Sequence, residues 1–397
     1  MHRLLFALLL CLWTFKLDAQ LQFQFSGNID VELHKGGKDS HYYLNGIHKK
    51  RLGWRFRPLE MNLFGKISWG DQWSLSTRFQ LERSYGYAFE MFRVSQLSLN
   101  WLAKDIPLKI SLGRFINPFG SYNQRQISVL RNFVDVPLAY AYYTNISSFF
   151  GYTPGLGNEE SVFIFMRPYW GAPISYYNGY ANGLKVKYVF EDSKWVGQLA
   201  ISNGAPIQTN TWNFTPLNYA ITGRLFWQVD YFWKQGFSFS YGTFRQDHPI
   251  NEALEDRFQQ LLLGTDFKLG FGFWEFSGEI LWASHHVPFY QAGEEVYFDE
   301  REYLNLSNWS AYLDIRYEFP FMYGAYVAGR FDTIQFSALD EVSYANRDWD
   351  DDIWRLSLVF GVQPQSYLLL KVAYSYQEIE NQTLDLCTFR TSLTAFF

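Results

Sequence analysis

The sequence predicts an all-β chain closed into a transmembrane antiparallel up-and-down barrel of about sixteen strands, with eighteen as the alternative count. Three observations lead there. Apolar and polar residues alternate with period two in long segments from residue 21 to the end of the chain. Tight turns and long connections alternate between those segments. Aromatic residues make up 20% of the chain, and such side chains favour strands. Net charge is −5, so nothing points to a nucleic-acid partner.

Residues 1–19 read as a cleaved signal peptide. Arg3 supplies the positive region, residues 4–15 form the apolar run, and Ala19 offers a small residue for cleavage. The run is short for a membrane helix, and no later stretch is apolar for long enough, so the mature chain is expected to cross a membrane by strands. Cys11 falls in this leader, which leaves Cys387 alone and excludes a disulfide framework or a thiolate metal site.

Residues 20–397 read as the barrel. The first strand sets Leu21, Phe23, Phe25, Gly27, Ile29, Val31 and Leu33 against Gln22, Gln24, Ser26, Asn28, Asp30, Glu32 and His34. Successive strand side chains point to opposite faces, so one face is oily and the other wet. The pattern returns near 57–69, 73–84, 91–103, 107–117, 182–191, 194–203, 217–230, 236–247, 257–270, 273–286, 302–319, 322–335, 352–362, 367–379 and 386–397, with phase slips near Gln96 and Arg114. Pro58 and Pro107 begin segments and Pro118 ends one, as expected of a residue that cannot donate to a ladder. These segments exceed the usual strand of about five or six residues, and so many strands in one sheet must curl or close. Closure removes edges and satisfies the backbone, the condition for crossing a bilayer without helices.

The final stretch CTFRTSLTAFF, ending in Phe397, resembles the closing strand of Gram-negative outer-membrane barrels, whose last aromatic residue is read by the barrel-assembly machinery. With the leader and the turn rhythm, the chain resembles an outer-membrane porin, and its aromatic richness resembles Bacteroidota barrels. The resemblance implies periplasmic termini, contact with outer-membrane lipid and lipopolysaccharide, a common homotrimeric state, and a third loop that folds inward to narrow the channel. The longest gap, 118–181, falls where that loop belongs, and GRFINPFG (113–120) resembles the strand end leading into it in phosphate-selective-type porins. Within the gap, VFIFMR (162–167) and ISYYNGY (174–180) are the two segments that would make eighteen strands.

On this reading the wet face is a hydrated wall of mixed charge. The constriction candidates are Arg114, Arg125 and Arg131, against Asp135 alone between residues 113 and 157, with Lys109, Lys185 and Lys187 on neighbouring strands. Clustered Arg and Lys favour anions in a narrow passage. Tyr140, Tyr142, Tyr143 and Trp170 are candidates for guiding amphipathic solutes or for packing the loop. DWDDD (348–352) is an acidic loop suited to a hard divalent cation or to plain solvation. His285 and His286 point to opposite faces, so they do not share a metal. No catalytic motif, cofactor or resident metal is indicated. The expected function is passive diffusion of small hydrophilic solutes with an anion preference. The alternatives are a non-conducting structural or adhesive barrel and a rim-located enzyme.

Overall fold

The computed structural model describes residues 21–37, 54–82, 91–125, 127–148, 151–152, 171–175, 179–190, 194–207, 218–245, 258–289, 303–322, 324–339, 348–380 and 387–397. The expected signal peptide lies outside them. Strands are β1 Leu21–Gly36, β2 Arg55–Trp69, β3 Trp73–Glu82, β4 Met91–Leu102, β5 Leu108–Ile116, β6 Ile146–Ser147, β7 Gly151–Tyr152, β8 Tyr180–Val189 and β9 Trp195–Ser202. They continue as β10 Ala220–Gln228, β11 Trp233–Thr243, β12 Gln259–Phe271, β13 Trp274–Pro288, β14 Tyr303–Glu318, β15 Ala325–Phe336, β16 Ile353–Gln365, β17 Leu368–Ile379 and β18 Thr388–Phe396.

Sixteen of these close into one antiparallel barrel, each hydrogen-bonded to its chain neighbour, with β18 sealing against β1. Only β6 and β7 stand apart, as a small hairpin in the connection from β5 to β8. The sixteen-strand count therefore holds over eighteen. Residues 174–175 form a bend before β8, and 162–167 lie outside the described residues. The seam pairs Ile29 with Ala395 and Leu33 with Thr391, and Gly27 and Phe397 exchange both backbone hydrogen bonds at 3.0 Å.

The alternation sorts as physics requires. Phe25, Leu63, Leu199, Phe239, Leu263, Trp282 and Leu358 are exposed on the outside, while Asn28, Asn62, Ser98, Ser240, Ser277 and Ser357 are buried inside. No helix among the described residues is long and apolar enough to cross a membrane; this closed barrel crosses with its strands. Near the tight-turn end, Trp195 stacks on Trp227 at 4.8 Å, Trp69 on Trp73 at 6.4 Å, and Trp274 meets Tyr317 at 4.7 Å. Such aromatic rings anchor a barrel where hydrocarbon meets headgroups.

Both phase slips have structural causes. Opposite Arg78 and Phe79 the ladder passes from Gln96 to Val94, so Ser95 is an extra, bulged residue. Gly113 has φ 112°, and a Cβ there would collide with the Leu97 carbonyl. The strand turns over at that glycine, which brings Arg114 out of phase.

Placing Arg at Leu263, near the middle of β12 on the lipid face, is expected to destabilise the barrel by roughly 2–4 kcal/mol. Reversible unfolding in vesicles checks this, and a change near zero would place Leu263 away from hydrocarbon.

Candidate functional site

Among the described residues between β5 and β8, regular structure comes in short pieces. Two single 3-10 turns, Tyr122–Arg125 and Ser128–Leu130, and one helical turn, Leu138–Ala141, are its longest pieces apart from the β6–β7 hairpin. Irregular backbone inside a barrel must find partners for its N–H and C=O groups. Some are found within the loop, as where the Thr144 N–H donates to Ala172 O at 3.0 Å and the Ser175 N–H to Ala139 O at 3.0 Å, and the inward-facing side chains of the barrel supply others.

Acceptors on the wall take the loop's N–H groups. Gly120 donates to Ser238 Oγ at 3.1 Å, Ser121 to Glu279 Oε1 at 3.2 Å, Ser128 to Glu60 Oε1 at 3.1 Å and Leu138 to Asp332 Oδ2 at 3.0 Å. Donors on the wall take its carbonyls. Lys371 Nζ reaches Ser128 O at 2.5 Å and Arg131 O at 2.7 Å; Arg330 reaches Asp135 O at 3.0 Å; Arg355 reaches Val136 O at 2.5 Å. Arg224 donates to Gly120 O, and Tyr326 to Asn132 O at 2.8 Å. Gly120 has φ 66°, and any side chain there would collide with Glu279 and the Tyr140 hydroxyl.

Three of these wall residues, all arginines, have carboxylate partners on the wall. Arg330 grips Asp314 with two bonds of 2.6 and 2.8 Å, Arg355 pairs with Asp332 at 2.5 Å, and Arg224 with Asp266 at 2.8 Å. Asp135 comes from the loop and inserts between Arg390, at 2.7 Å, and the Ser375 hydroxyl. Burial alone would raise the Asp135 pKa, but Arg390, Arg355, Ser375 and Arg330 outweigh it and hold the carboxyl below its ordinary range. Rings fill the rest: Tyr122 lies 5.0 Å from Tyr140 and 6.2 Å from Tyr312, and Arg330 sits 4.2 Å over Phe133.

The tethers follow an arc. They run from β10, β11 and β13 through β15, β16, β17 and β18 to β1 and β2, where the Ser128 hydroxyl meets Asp30 and, at 3.0 Å, Glu60. On the remaining arc, Lys109 on β5 is directly paired in register with Lys187 on β8. Lys66 and Lys187 are exposed, and Lys109 and Lys185 half-buried. Among the described residues none of these four lysines has an ion-pair partner; Lys185 donates to Ile116 O at 3.1 Å and lies 4.8 Å over Phe115.

The other sequence candidates fall as follows. Arg125, part-buried on the loop, donates to Ser121 Oγ at 3.2 Å and Tyr312 OH at 3.4 Å, and Arg131 to Ser128 Oγ at 2.9 Å. Arg114 is buried, donates to Ser95 O at 3.1 Å and packs 5.6 Å over Tyr180. Tyr140 is fully buried with its hydroxyl on Glu279 at 2.8 Å, and Tyr142 is buried with its hydroxyl on Asp350 at 3.2 Å. Tyr143 is half-buried, Trp170 lies outside the described residues, and Phe397 is exposed. Carboxylate oxygens of Asp348, Asp352 and Glu380 lie within 4.8 Å of one another at the long-loop end. Burial first, then Asp348, Glu380 and Asp350, raise the Asp352 pKa against a hydrogen bond from the Phe336 N–H. The tethering set around Glu60, Asp332, Arg355 and Lys371 was not singled out by sequence reasoning. Its inward phase was readable, but nothing in the spacing says that its partner is loop backbone.

Fold and lumen together define a closed sixteen-strand barrel with the β5–β8 connection packed against its inner wall. No family model matches the chain, and no curated protein matches it in sequence. Solved structures do match in fold. DcaP, an outer membrane channel of Acinetobacter baumannii, has a TM-score of 0.59 at 9% identity, covering 96% of this chain and 99% of that one. An anion-selective porin from Comamonas acidovorans scores 0.57 at 10% identity, covering 95% and 100%. OmpT of Vibrio cholerae, an outer membrane protein solved in a trimer form, scores 0.56 at 10% identity, covering 96% and 100%.

The depressed Asp135 pKa fixes the sign of a pH effect. Its contribution to stability is complete above the ordinary carboxylate value of 3.8 and is lost as pH falls through its lower folded value. Asp135→Asn leaves Arg390 without this charge partner and is expected to cost about 3–5 kcal/mol, the range for breaking a buried ion pair. Thermal unfolding across an acid series measures both: the wild type should lose more stability than the variant between neutral and strongly acidic pH.

Proposed function

We propose that the protein is an outer-membrane diffusion channel for small hydrophilic solutes, without enzymatic activity, that prefers anions and assembles as a homotrimer. One observation carries the preference. The loop's backbone and Asp135 engage the charges of one arc, while Lys109, Lys185 and Lys187 on β5 and β8, and Lys66 at the tight-turn end of the bordering β2, have no ion-pair partner among the described residues. The wall chemistry is therefore unequal: neutralised where the loop lies, positive where it does not. Arg125 and Arg131 add positive charge from the loop side.

A solute entering this space meets fixed ammonium groups in a confined passage, where Coulomb interactions are stronger than in bulk water. Lys109 and Lys187 face each other across one ladder position, and like charges so placed repel. An anion between them relieves that repulsion, so attraction is greatest while the anion is there. The lysines are spread over β2, β5 and β8 near the tight-turn end, so an anion passes from one to the next without being held by any single tight site. The trimer form of the similarly folded Vibrio cholerae protein supports the homotrimer. Phe397, exposed at the seam, is available as an assembly signal.

A second reading is favoured by the burial of the loop-covered wall, where Gln260, Asp332, Lys371 and Thr394 have almost no exposure. On it the loop plugs the barrel, and the protein is structural or adhesive.

Single-channel recording in planar bilayers under a KCl gradient separates these. The channel reading expects discrete conductance steps and a reversal potential of anionic sign. Replacing Lys66 and Lys187 by Glu should move that potential toward zero or past it. Silence favours the plug, and cation preference in the wild type defeats the proposed selectivity.

A further inference from the structure

The tight turns at one end of the barrel are not alike. The β10–β11 turn exposes Tyr231 by 88% and Phe232 by 37%; the β12–β13 turn exposes Phe271 by 76% and Phe273 by 53%; the β14–β15 turn exposes Phe321 by 76% and Met322 by 45%. The β2–β3 turn instead carries Gly70, Asp71 and Gln72, and the β4–β5 turn carries exposed Lys104 and Asp105 beside Ile106. In the closed ring of sixteen, the β12–β13 turn stands eight strands from β2–β3, and β14–β15 eight from β4–β5. Two of the three apolar turns therefore lie diametrically across from the two polar ones, and the third, β10–β11, lies on the same side, across from the β18–β1 seam.

The apolar tips are continuous with the lipid-facing girdle below them. Phe273 packs edge-on to Tyr317 at 6.5 Å, Phe319 meets Phe321 at 5.6 Å, and Tyr317 meets Phe319 at 5.4 Å and Trp274 at 4.7 Å. Clustered exposed aromatic side chains cost free energy in water and are stabilised at the membrane interface, where an amphipathic or apolar ring sits among headgroups. Charged tips such as Lys104 and Asp105 have the opposite preference.

We propose that the barrel sits asymmetrically in its bilayer: the rim over β10–β15 is immersed in the lipid interface, and the rim over β2–β5 stands in water. The surface covering the aromatic tips is lipid, because at the β12–β13 and β14–β15 turns those tips extend an already lipid-facing band ring by ring. Immersion on one side only inclines the barrel axis from the bilayer normal, and tilt is one way a spanning protein accommodates apolar surface that does not match the bilayer. This inference rests on the membrane-barrel reading and not on conduction.

Site-directed spin labelling tests it. Single cysteines are placed at Phe271, Phe321, Asp71 and Lys104, with Leu263 as a mid-wall control, in a Cys11→Ser, Cys387→Ser background. The protein is reconstituted in phosphatidylethanolamine–phosphatidylglycerol vesicles. Power saturation compares collision with oxygen, which enters lipid, and with a water-soluble nickel chelate. The expected oxygen-to-nickel ratio at positions 271 and 321 is several-fold above that at 71 and 104. Equal, water-like ratios at all four turn positions, with Leu263 still lipid-like, overturn the asymmetry alone. A water-like Leu263 overturns the membrane reading itself. Nickel protection at 271 and 321 that appears only at high protein-to-lipid ratio assigns the surface to a second copy and overturns the lipid assignment.

Discussion

Inside a closed barrel, a connection with only short pieces of helix and strand cannot satisfy all its peptide groups internally, and that constraint shapes the lumen. The wall answers with charged side chains used as hydrogen-bond partners: Glu60, Glu279 and Asp332 accept from loop N–H groups, while Arg330, Arg355 and Lys371 donate to loop carbonyls. Each bond to a charged group contributes about 1.5–3 kcal/mol. Arg330, Arg355 and Asp332 also form ion pairs on the wall, which offsets part of the desolvation that buried ions suffer. The loop is thus held by the same residues that would otherwise give one side of the lumen its field.

Function follows from what is left. A barrel wall of near-balanced charge has little reason to discriminate between ions. On the proposed reading, once one arc is engaged by the loop, the residual field belongs to the lysines of β2, β5 and β8. On the proposed channel reading, selectivity is set by the path of the loop as much as by the charges themselves. The same reasoning separates rings that pack from rings that face water. Tyr140 and Tyr142 belong to the buried interior, where each hydroxyl finds a carboxylate.

Much of the fold was legible because a strand's two faces meet different solvents. The fourteen-residue alternation from Leu21 to His34 needs no tertiary information to be read as a wall with lipid on one side. Even its failures were informative: the slip near Gln96 marked the bulge at Ser95, and the slip near Arg114 marked the positive φ of Gly113. The site was less legible. An inward Asp332 or Lys371 has the same sequence signature whether it meets water or loop backbone, because phase gives direction and not partner. The pairing of Lys109 with Lys187 depends on a register set across a connection of more than sixty residues, which no local pattern encodes.

Native-state hydrogen exchange of the loop amides in lipid tests most directly whether wall charges hold the loop. If Glu279, Glu60 and Asp332 accept from Ser121, Ser128 and Leu138, those three amides exchange slowly, on the timescale of neighbouring barrel strands. Exchange at the rate of unprotected peptide would mean that the loop is not fastened to the wall, and the division of the lumen into a neutralised and a positive arc would fail with it.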